Sequence, residues 1–400
     1  MKKINKYILF LTIILSPLYL VKTTLFHLPT NLHEILMLFY IFLSAFSVKK
    51  ENVFRIFNKN RIFWIGIFFL ITGLIISMVF NNTYTASLGI IKGWFIIPIF
   101  FSLACINSIK NRRDIDAIFI SLFLSISLIS LISLIAFMVG LRTYDGRLQG
   151  FYNSPNYLAM FLAPGVFIWF FMRQEKQLTL YGKFALDFCF VPIIICIYLT
   201  YSYGSWIGIL MSLILVIPMT KKYSSKRFFL FSTLALFLFF IIFQFNTEKF
   251  LSLTHVTERS SIASRLIIWR SAEKILSDNI SLGIGSGNFQ YKYLEYQKFF
   301  SPYLEWAVPH PHNLFLSTWL QSGIIGLLGF ALINYWVFRN IFPVKKNSHP
   351  EMAFFGILTC YYCYIFIHGL IDTTYWKNDL SLVFWLYTFL LIKIREEKLP

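Results

Sequence analysis

The sequence predicts an all-α integral membrane protein of about twelve transmembrane helices, organised as one polytopic domain over residues 1–400. Three observations predict this. Of the 400 residues, 57% are hydrophobic and only 14% are charged, where a soluble chain carries roughly 25% charged residues. Apolar runs of about 20 residues, the length that crosses a bilayer as a helix, recur from end to end. Those runs do not alternate polar and apolar residues, so a β-barrel does not fit, and helices are left as the way to satisfy backbone groups in lipid.

The spans are read at 7–26, 31–48, 62–80, 88–107, 115–140, 155–172, 184–200, 204–220, 228–245, 313–338, 352–371 and 380–393. The first follows Lys2, Lys3 and Lys6 and has no A-x-A-like cleavage site after it, so it is read as a retained helix rather than a signal peptide. The seventh and eighth are joined only by Tyr201, Ser202 and Tyr203. An even number of spans with a cytoplasmic start puts both termini inside. The charges fit that topology. Of the 36 Lys and Arg residues, 24 fall on the inner side, seven in one long outer loop, and five (Lys22, Lys92, Arg142, Arg147 and Lys377) at the remaining outer positions. This positive-inside bias accounts for most of the formal net charge of +18, so the charge is not a nucleic-acid footprint.

The long loop spans 246–312, between the ninth and tenth spans, and is expected on the non-cytoplasmic side. Loops of this length are uncommon unless they serve a purpose. Within it, SRLIIWRSAEKILSDN (264–279) places Leu266, Trp269, Ala272 and Leu276 at helical spacing, an amphipathic interfacial helix with Arg265, Arg270 and Lys274 on its polar side. Its bland reading is a surface helix anchored by Trp and snorkelling cations. GIGSGNF (283–289) resembles a phosphate cradle only superficially. It lacks the preceding strand and the Lys-Ser/Thr end of a nucleotide loop, and is read as a tight turn. The five cysteines lie in apolar runs and are read as packing, the Cys360–Cys363 pair included.

Chemistry-bearing residues gather in four outer segments: RTYDGRLQGFYNSPN (142–156), YSYGSW (201–206), the long loop with the start of the next helix, and DTTYWKND (372–379). In PHPHNLFLSTWLQSGIIGLLG (309–329), His310 and His312 stand where the loop re-enters the membrane, with Asn313 a candidate helix cap. His-x-His is also a metal pattern, but no partner set of convincing spacing accompanies it, and no metal or other cofactor is expected. Gly323, Gly326 and Gly329 are read as sites of close helix packing. Arg147 and Lys92 lie near the outer face, where a cation can snorkel or meet a lipid phosphate; Asp372 and Lys377 can pair with each other or with the arginines. Several cations, one histidine at a helix start and one or two carboxylates suit group transfer from a lipid pyrophosphate. The cations stabilise the leaving group and the histidine deprotonates an attacking hydroxyl.

At these residues the chain resembles the O-antigen ligase and polysaccharide polymerase family of bacterial membrane glycosyltransferases. The resemblance rests on RLQGFYNSPNYLA (147–159), SRLIIWRSA and GIGSGNF within 264–289, PHPHNLFL and GIIGLLG within 309–329, and HGLIDTTYWKNDLSLVFW (368–385). It implies a GT-C-like fold and metal-independent transfer of glycan from an undecaprenyl-pyrophosphate carrier to a hydroxyl acceptor (a lipid, protein, wall polymer or repeat unit). The setting it implies is the bacterial inner membrane, with the site facing outward. The resemblance puts the catalytic histidine on His312 and the long-loop arginine on Arg265. Tyr203 stands where the family commonly has a second arginine, so another pyrophosphate-binding cation is required: Arg147, Arg270 or Lys92. His310, Asn313, Asp372 and Lys377 are supporting residues. Two readings from other classes remain: a transporter or flippase of lipid-linked sugars, and a non-catalytic assembly partner.

Overall fold

The computed structural model describes residues 2–25, 27–46, 50–175, 177–219, 226–245, 247, 250–251, 261–301, 307–341 and 352–396. Of the cations expected on the inner side, Lys49, Lys176, Lys221, Lys222, Lys345, Lys346 and Lys398 lie outside the described residues, as do 252–260 and 302–306 of the long loop.

The chain is predominantly helical: α1 (Lys2–Ile14), α2 (Leu32–Ala45), α3 (Lys50–Lys59), α4 (Arg61–Asn81), α5 (Tyr84–Ser108), α6 (Arg112–Met138), α7 (Pro155–Met172), α8 (Leu180–Leu199), α9 (Tyr203–Val216), α10 (Lys226–Gln244), α11 (Ser261–Asp278), α12 (Phe289–Tyr296), α13 (Leu314–Ile341), α14 (Met352–Gly369) and α15 (Asn378–Glu396). Among the described residues, α4, α5, α6, α7, α8, α13 and α14 are long and apolar enough to cross a bilayer, and Ile4–Ile14, α2 and α9 are apolar but shorter. The helices differ in depth within the bundle: the apolar window of α7 is 89% buried and that of α8 only 28%. α7 is therefore central and α8 peripheral.

The first expected span is not a continuous helix. The stretch 7–26 ends its α-helix at Ile14, makes a 3₁₀ turn at Ser16–Leu20, and enters a hairpin of β1 (Lys22–Leu25) and β2 (Leu28–Asn31). Pro17 brings no backbone donor, and β-branched Thr23 and Thr24 favour extended backbone. Apolar residues in the turn and hairpin kept hydropathy high past the end of the helix. Among the described residues the fold is thus helical with one small two-stranded addition.

α4 and α13 approach to backbone contact. A Cβ on Gly73 would meet the backbone of Gly326, and one on Gly329 would meet that of Leu70, the small-residue packing expected between membrane helices. Gly323 does something else. It adopts φ 64° and ψ −173° and breaks α13. The break is sealed by the 281–287 turn: Ile324 N donates to Ser281 O at 3.1 Å, and Ile284 N donates to Leu320 O at 2.6 Å. Backbone groups freed in a membrane helix need such partners. The same turn accounts for GIGSGNF. Gly283, Gly285 and Gly287 all have positive φ. Their amides donate internally, to Asn279 O, Ser77 Oγ and Gln321 Oε1 respectively. The turn braces helices and offers no open cradle of amides to a phosphate.

Candidate active site

The site forms where four chain segments meet at one end of the bundle. Asn313 caps α13, its Oδ1 accepting from Phe315 N at 2.9 Å and Leu316 N at 3.0 Å. Its amide also donates to Leu370 O at 2.9 Å, tying the start of α13 to the end of α14. The residue before the cap, His312, takes φ 47°. For a histidine this left-handed backbone costs roughly 1–3 kcal/mol and has to be held by its surroundings. Trp269 of α11 supplies one hold, donating its indole N–H to His312 O at 3.3 Å.

Asp372 supplies the other. It is 1% exposed, on the loop between α14 and α15. His312 Nδ1 lies 3.1 Å from its Oδ1, and Thr373 N donates to the same oxygen at 2.8 Å. Its Oδ2 accepts from Asn156 Nδ2 at 2.9 Å and lies 3.7 Å from the Arg265 guanidinium. Burial alone would raise the carboxyl pKa. His312 and its hydrogen bond, with Arg265, outweigh that and hold the group well below the usual carboxylate range. A carboxylate only accepts, so Nδ1 of His312 carries the proton, and Nε2 keeps its lone pair on the far side of the ring.

The cations converge on the same carboxylate. Arg265, on α11, also donates Nε to Ile371 O at 3.0 Å. Arg147 reaches it through one residue: its guanidinium donates to Asn156 Oδ1 at 2.9 Å, whose amide binds Asp372. Arg147 Nε donates to Thr200 O at 2.7 Å, and Asp145 is 3.9 Å from its NH1. Burial lowers the Arg147 pKa, with Asp145 opposing that and the charge of Arg265 adding to it; arginine stays protonated through such shifts. Two like charges therefore sit within reach of each other around one carboxylate. Tyr203 is close enough to Arg147 to influence it electrostatically and donates its own hydroxyl to Gln244 Oε1 at 3.2 Å.

His310 is buried beside His312, ring centroids 4.6 Å apart, and the Tyr157 hydroxyl is 3.0 Å from its ring nitrogens. Burial, with the neighbouring His312, pulls its pKa down to about 3, so it is neutral at physiological pH. The Lys377 ammonium stands 3.9 Å from the centroid of the Tyr157 ring; burial lowers its pKa, and Asp379 opposes the shift.

Of the nine residues singled out by sequence, seven thus gather here: His310, His312, Asn313, Arg147, Arg265, Asp372 and Lys377. Two do not. Lys92 belongs to another cluster, 2.8 Å from Glu34 Oε2 and donating to Pro29 O and Thr30 Oγ1, both at 2.6 Å. The buried carboxylate that claims it comes from α2, distant in sequence. Arg270 is exposed; five residues after Arg265 on a helix, it points to a different face. Asn156 and Tyr157 were not singled out. The signal for them was local: Ser154 caps α7 and Pro155 opens it, which fixes Asn156 in the first turn.

His310, His312 and Asp372 have ligand atoms within 4.8 Å of one another, a spacing a metal ion could use. The donor set does not favour one. The carboxylate already receives three hydrogen bonds, and the cationic Arg265 beside it opposes a second cation.

Residues 188–331 match the family model described as O-antigen ligase. The matched stretch contains Arg265, His310 and His312; Arg147 and Asp372 lie outside it. No curated protein matches the chain.

Proposed function

From the match of residues 188–331 to the O-antigen ligase family model, we propose that this multi-pass membrane protein is a glycosyltransferase acting on the non-cytoplasmic face of the bacterial inner membrane. It moves glycan from an undecaprenyl-pyrophosphate carrier to a hydroxyl acceptor. The observation that carries the reading is His312 bonded through Nδ1 to buried Asp372, with Arg265 and Arg147 gathered around the same carboxylate.

In this mechanism His312 Nε2 takes the proton from the acceptor hydroxyl as its oxygen attacks the anomeric carbon. The bond from that carbon to the pyrophosphate oxygen breaks, and its electron pair leaves with the pyrophosphate. Arg265 and Arg147 stabilise the charge that builds there. Asp372 stabilises the imidazolium formed at His312 and fixes its tautomer, the role a carboxylate plays behind a histidine base. Arg147 takes the place left by the non-cationic Tyr203, and His310 and Lys377 shape the wall beside the base.

Transport is the reading the broken helix at Gly323 invites, since transporters bind substrate at such breaks. Here the break is occupied by the 281–287 turn, and the site cations lie elsewhere, around Asp372.

The test is the cell's glycan ladder in a deletion strain carrying wild-type protein or His312→Ala. Single repeat units without long chains mark a polymerase that uses His312. Long chains stranded on the carrier mark a ligase. A wild-type ladder from His312→Ala at equal expression refutes the catalytic assignment. Product formation by purified protein in detergent separates an enzyme from a transporter or an assembly partner, neither of which makes product.

A further inference from the structure

α5 departs from ordinary helix geometry where it meets the loop that carries Asp372. Over Ile91–Ile96 its bonding widens to i→i+5, with Ile97 N donating to Lys92 O, a widening frequent at functional sites. Pro98 then brings no amide to Trp94 O, its i−4 acceptor. That carbonyl accepts instead from the Tyr375 hydroxyl at 2.7 Å and from the Trp385 indole at 3.3 Å. The same indole donates to the Tyr375 hydroxyl at 2.9 Å. The side chain of Trp94 adds two more contacts: it donates to Asn378 Oδ1 at 2.9 Å and meets the Trp376 ring edge-on.

The Lys92 cluster completes this seat. Asn378 Nδ2 and Asn31 Nδ2 both donate to Glu34 Oε1 at 2.8 Å, and Lys92 neutralises the other carboxylate oxygen. Glu34 is buried, and a buried charge needs such partners. A Cβ at Gly93 would collide with Glu34 Oε1 and stand 3.1 Å from Asn378 Nδ2, so glycine is what lets the carboxylate close on α5.

Residues 370–377 join α14 to α15 and form no helix of their own. Asp372 N donates to His368 O at 2.9 Å, which ties the near end of the loop to α14. Tyr375 and Asn378 tie its far end to α5 and α2. Asp372 is held between the two anchors, its Oδ1 3.1 Å from His312 Nδ1. A hydrogen bond of that length does not survive a displacement of about 1 Å.

We propose that Tyr375 and Glu34 are positioning residues: through the seat on α5 they hold Asp372 in register with His312. Their effect on transfer rests on the transferase reading above; the register does not.

The test uses the full chain, purified in detergent with ¹⁵N-labelled histidine, and reads the tautomer of the neutral His312 ring. The His312 signals are those lost in His312→Ala. In the wild type the proton sits on Nδ1, because the Asp372 carboxylate only accepts; without that partner the ring populates both tautomers. Tyr375→Phe, which removes one hydroxyl, and Gly93→Ala, which wedges the seat open, each bring up the Nε2–H form. Glu34→Ala does the same, while Glu34→Gln, which keeps an oxygen for Asn31 and Asn378, restores most of the Nδ1–H form. In the transfer assay Tyr375→Phe and Gly93→Ala lower kcat about 10- to 100-fold, since a misplacement of about 1 Å costs on the order of 10²-fold, and change KM by less than about twofold. Tyr375→Phe loses a single oxygen, so it stays informative if Gly93→Ala misfolds. Leu122→Ala, a core change in α6, lowers the melting temperature and leaves the tautomer alone. An unchanged His312 tautomer in folded Tyr375→Phe overturns the proposal, and so does an equal tautomer change in Leu122→Ala. If His312→Ala transfers like wild type while Tyr375→Phe still shifts the tautomer, the transferase reading falls and the positioning role stands. If transfer needs His312 and Tyr375→Phe alters neither tautomer nor kcat, the positioning role falls and the transferase reading stands.

Discussion

Asp372→Asn is the most informative single change. It keeps the volume of a fully buried side chain and removes its charge. In the native site that charge faces His312 at 3.1 Å and Arg265 at 3.7 Å. For charges about 4 Å apart at an effective dielectric near 20, the interaction is about 4 kcal/mol. The imidazolium develops fully only as the acceptor proton transfers, so most of that energy is felt in the transition state rather than in the resting enzyme. A loss of about 4 kcal/mol corresponds to roughly 10³-fold in rate. Asparagine has a second effect: if its amide nitrogen faces Nδ1, the proton shifts to Nε2 and the base is lost, as happens when a catalytic-triad aspartate becomes asparagine. The assay is turnover of a lipid-linked glycan by purified protein, with kcat and KM measured separately. We expect kcat to fall about 10³-fold with KM changed far less. The variant also leaves Arg265 and Arg147 near an uncharged amide, so its thermal unfolding in detergent must be measured alongside. The double variant His312→Ala/Asp372→Asn should be no slower than His312→Ala alone, because the two residues act as one unit. A kcat within tenfold of wild type for a folded Asp372→Asn, or additive losses in the double variant, would refute the dyad.

The remaining predictions concern the groups around that dyad. Arg147→Ala and Arg265→Ala each lower transfer by about 10²–10³, while exposed Arg270→Ala stays near wild type; equal losses for Arg270 and Arg147 would reverse their assignments. Chelation with EDTA leaves transfer by purified protein unchanged, and restoration of lost activity by added Zn²⁺ or Mn²⁺ would instead place a metal on His310, His312 and Asp372. His310 has its pKa pulled down to about 3, against about 6.5 unfolded. Between those values the unfolded chain takes a proton that the folded chain refuses. Stability therefore falls as pH drops from about 6.5 toward 3, at up to about 1.4 kcal/mol per pH unit from this group, and thermal melts of His310→Gln should show a shallower acid slope. Gly323→Ala puts a Cβ 2.5 Å from Ser281 O at a φ of 64°, so it should destabilise the protein by at least about 1–3 kcal/mol, read from melts in detergent.

Much of the site was legible before any fold was known. Helix signals put His312 just ahead of a capped helix, and the cap on Asn313 is there. The clustering of His, Arg and Asp in segments that the positive-inside charge pattern assigns to one face pointed to a composite site without three-dimensional information. What failed to read did so for identifiable reasons. Lys92 was grouped with the site by depth, yet a salt bridge to Glu34 depends on how α2 packs against α5. Asn156 closes one of the four outer segments but was not singled out, and only the approach of α7 to the 370–377 loop makes it the link between Arg147 and Asp372.

The sequence by itself determined the class of protein, the order of most helices and the residue types available for chemistry, because hydrophobic run length, capping and charge bias are local properties of a chain. Tertiary structure decided the rest. It ended the first helix at Ile14 and broke α13 at Gly323, where the 281–287 turn supplies the hydrogen bonds the helix gives up. It put Arg147, and not Lys92 or Arg270, in hydrogen-bonded connection with the carboxylate that Arg265 faces. That choice is a matter of distance between segments far apart in sequence, and distance is set by packing.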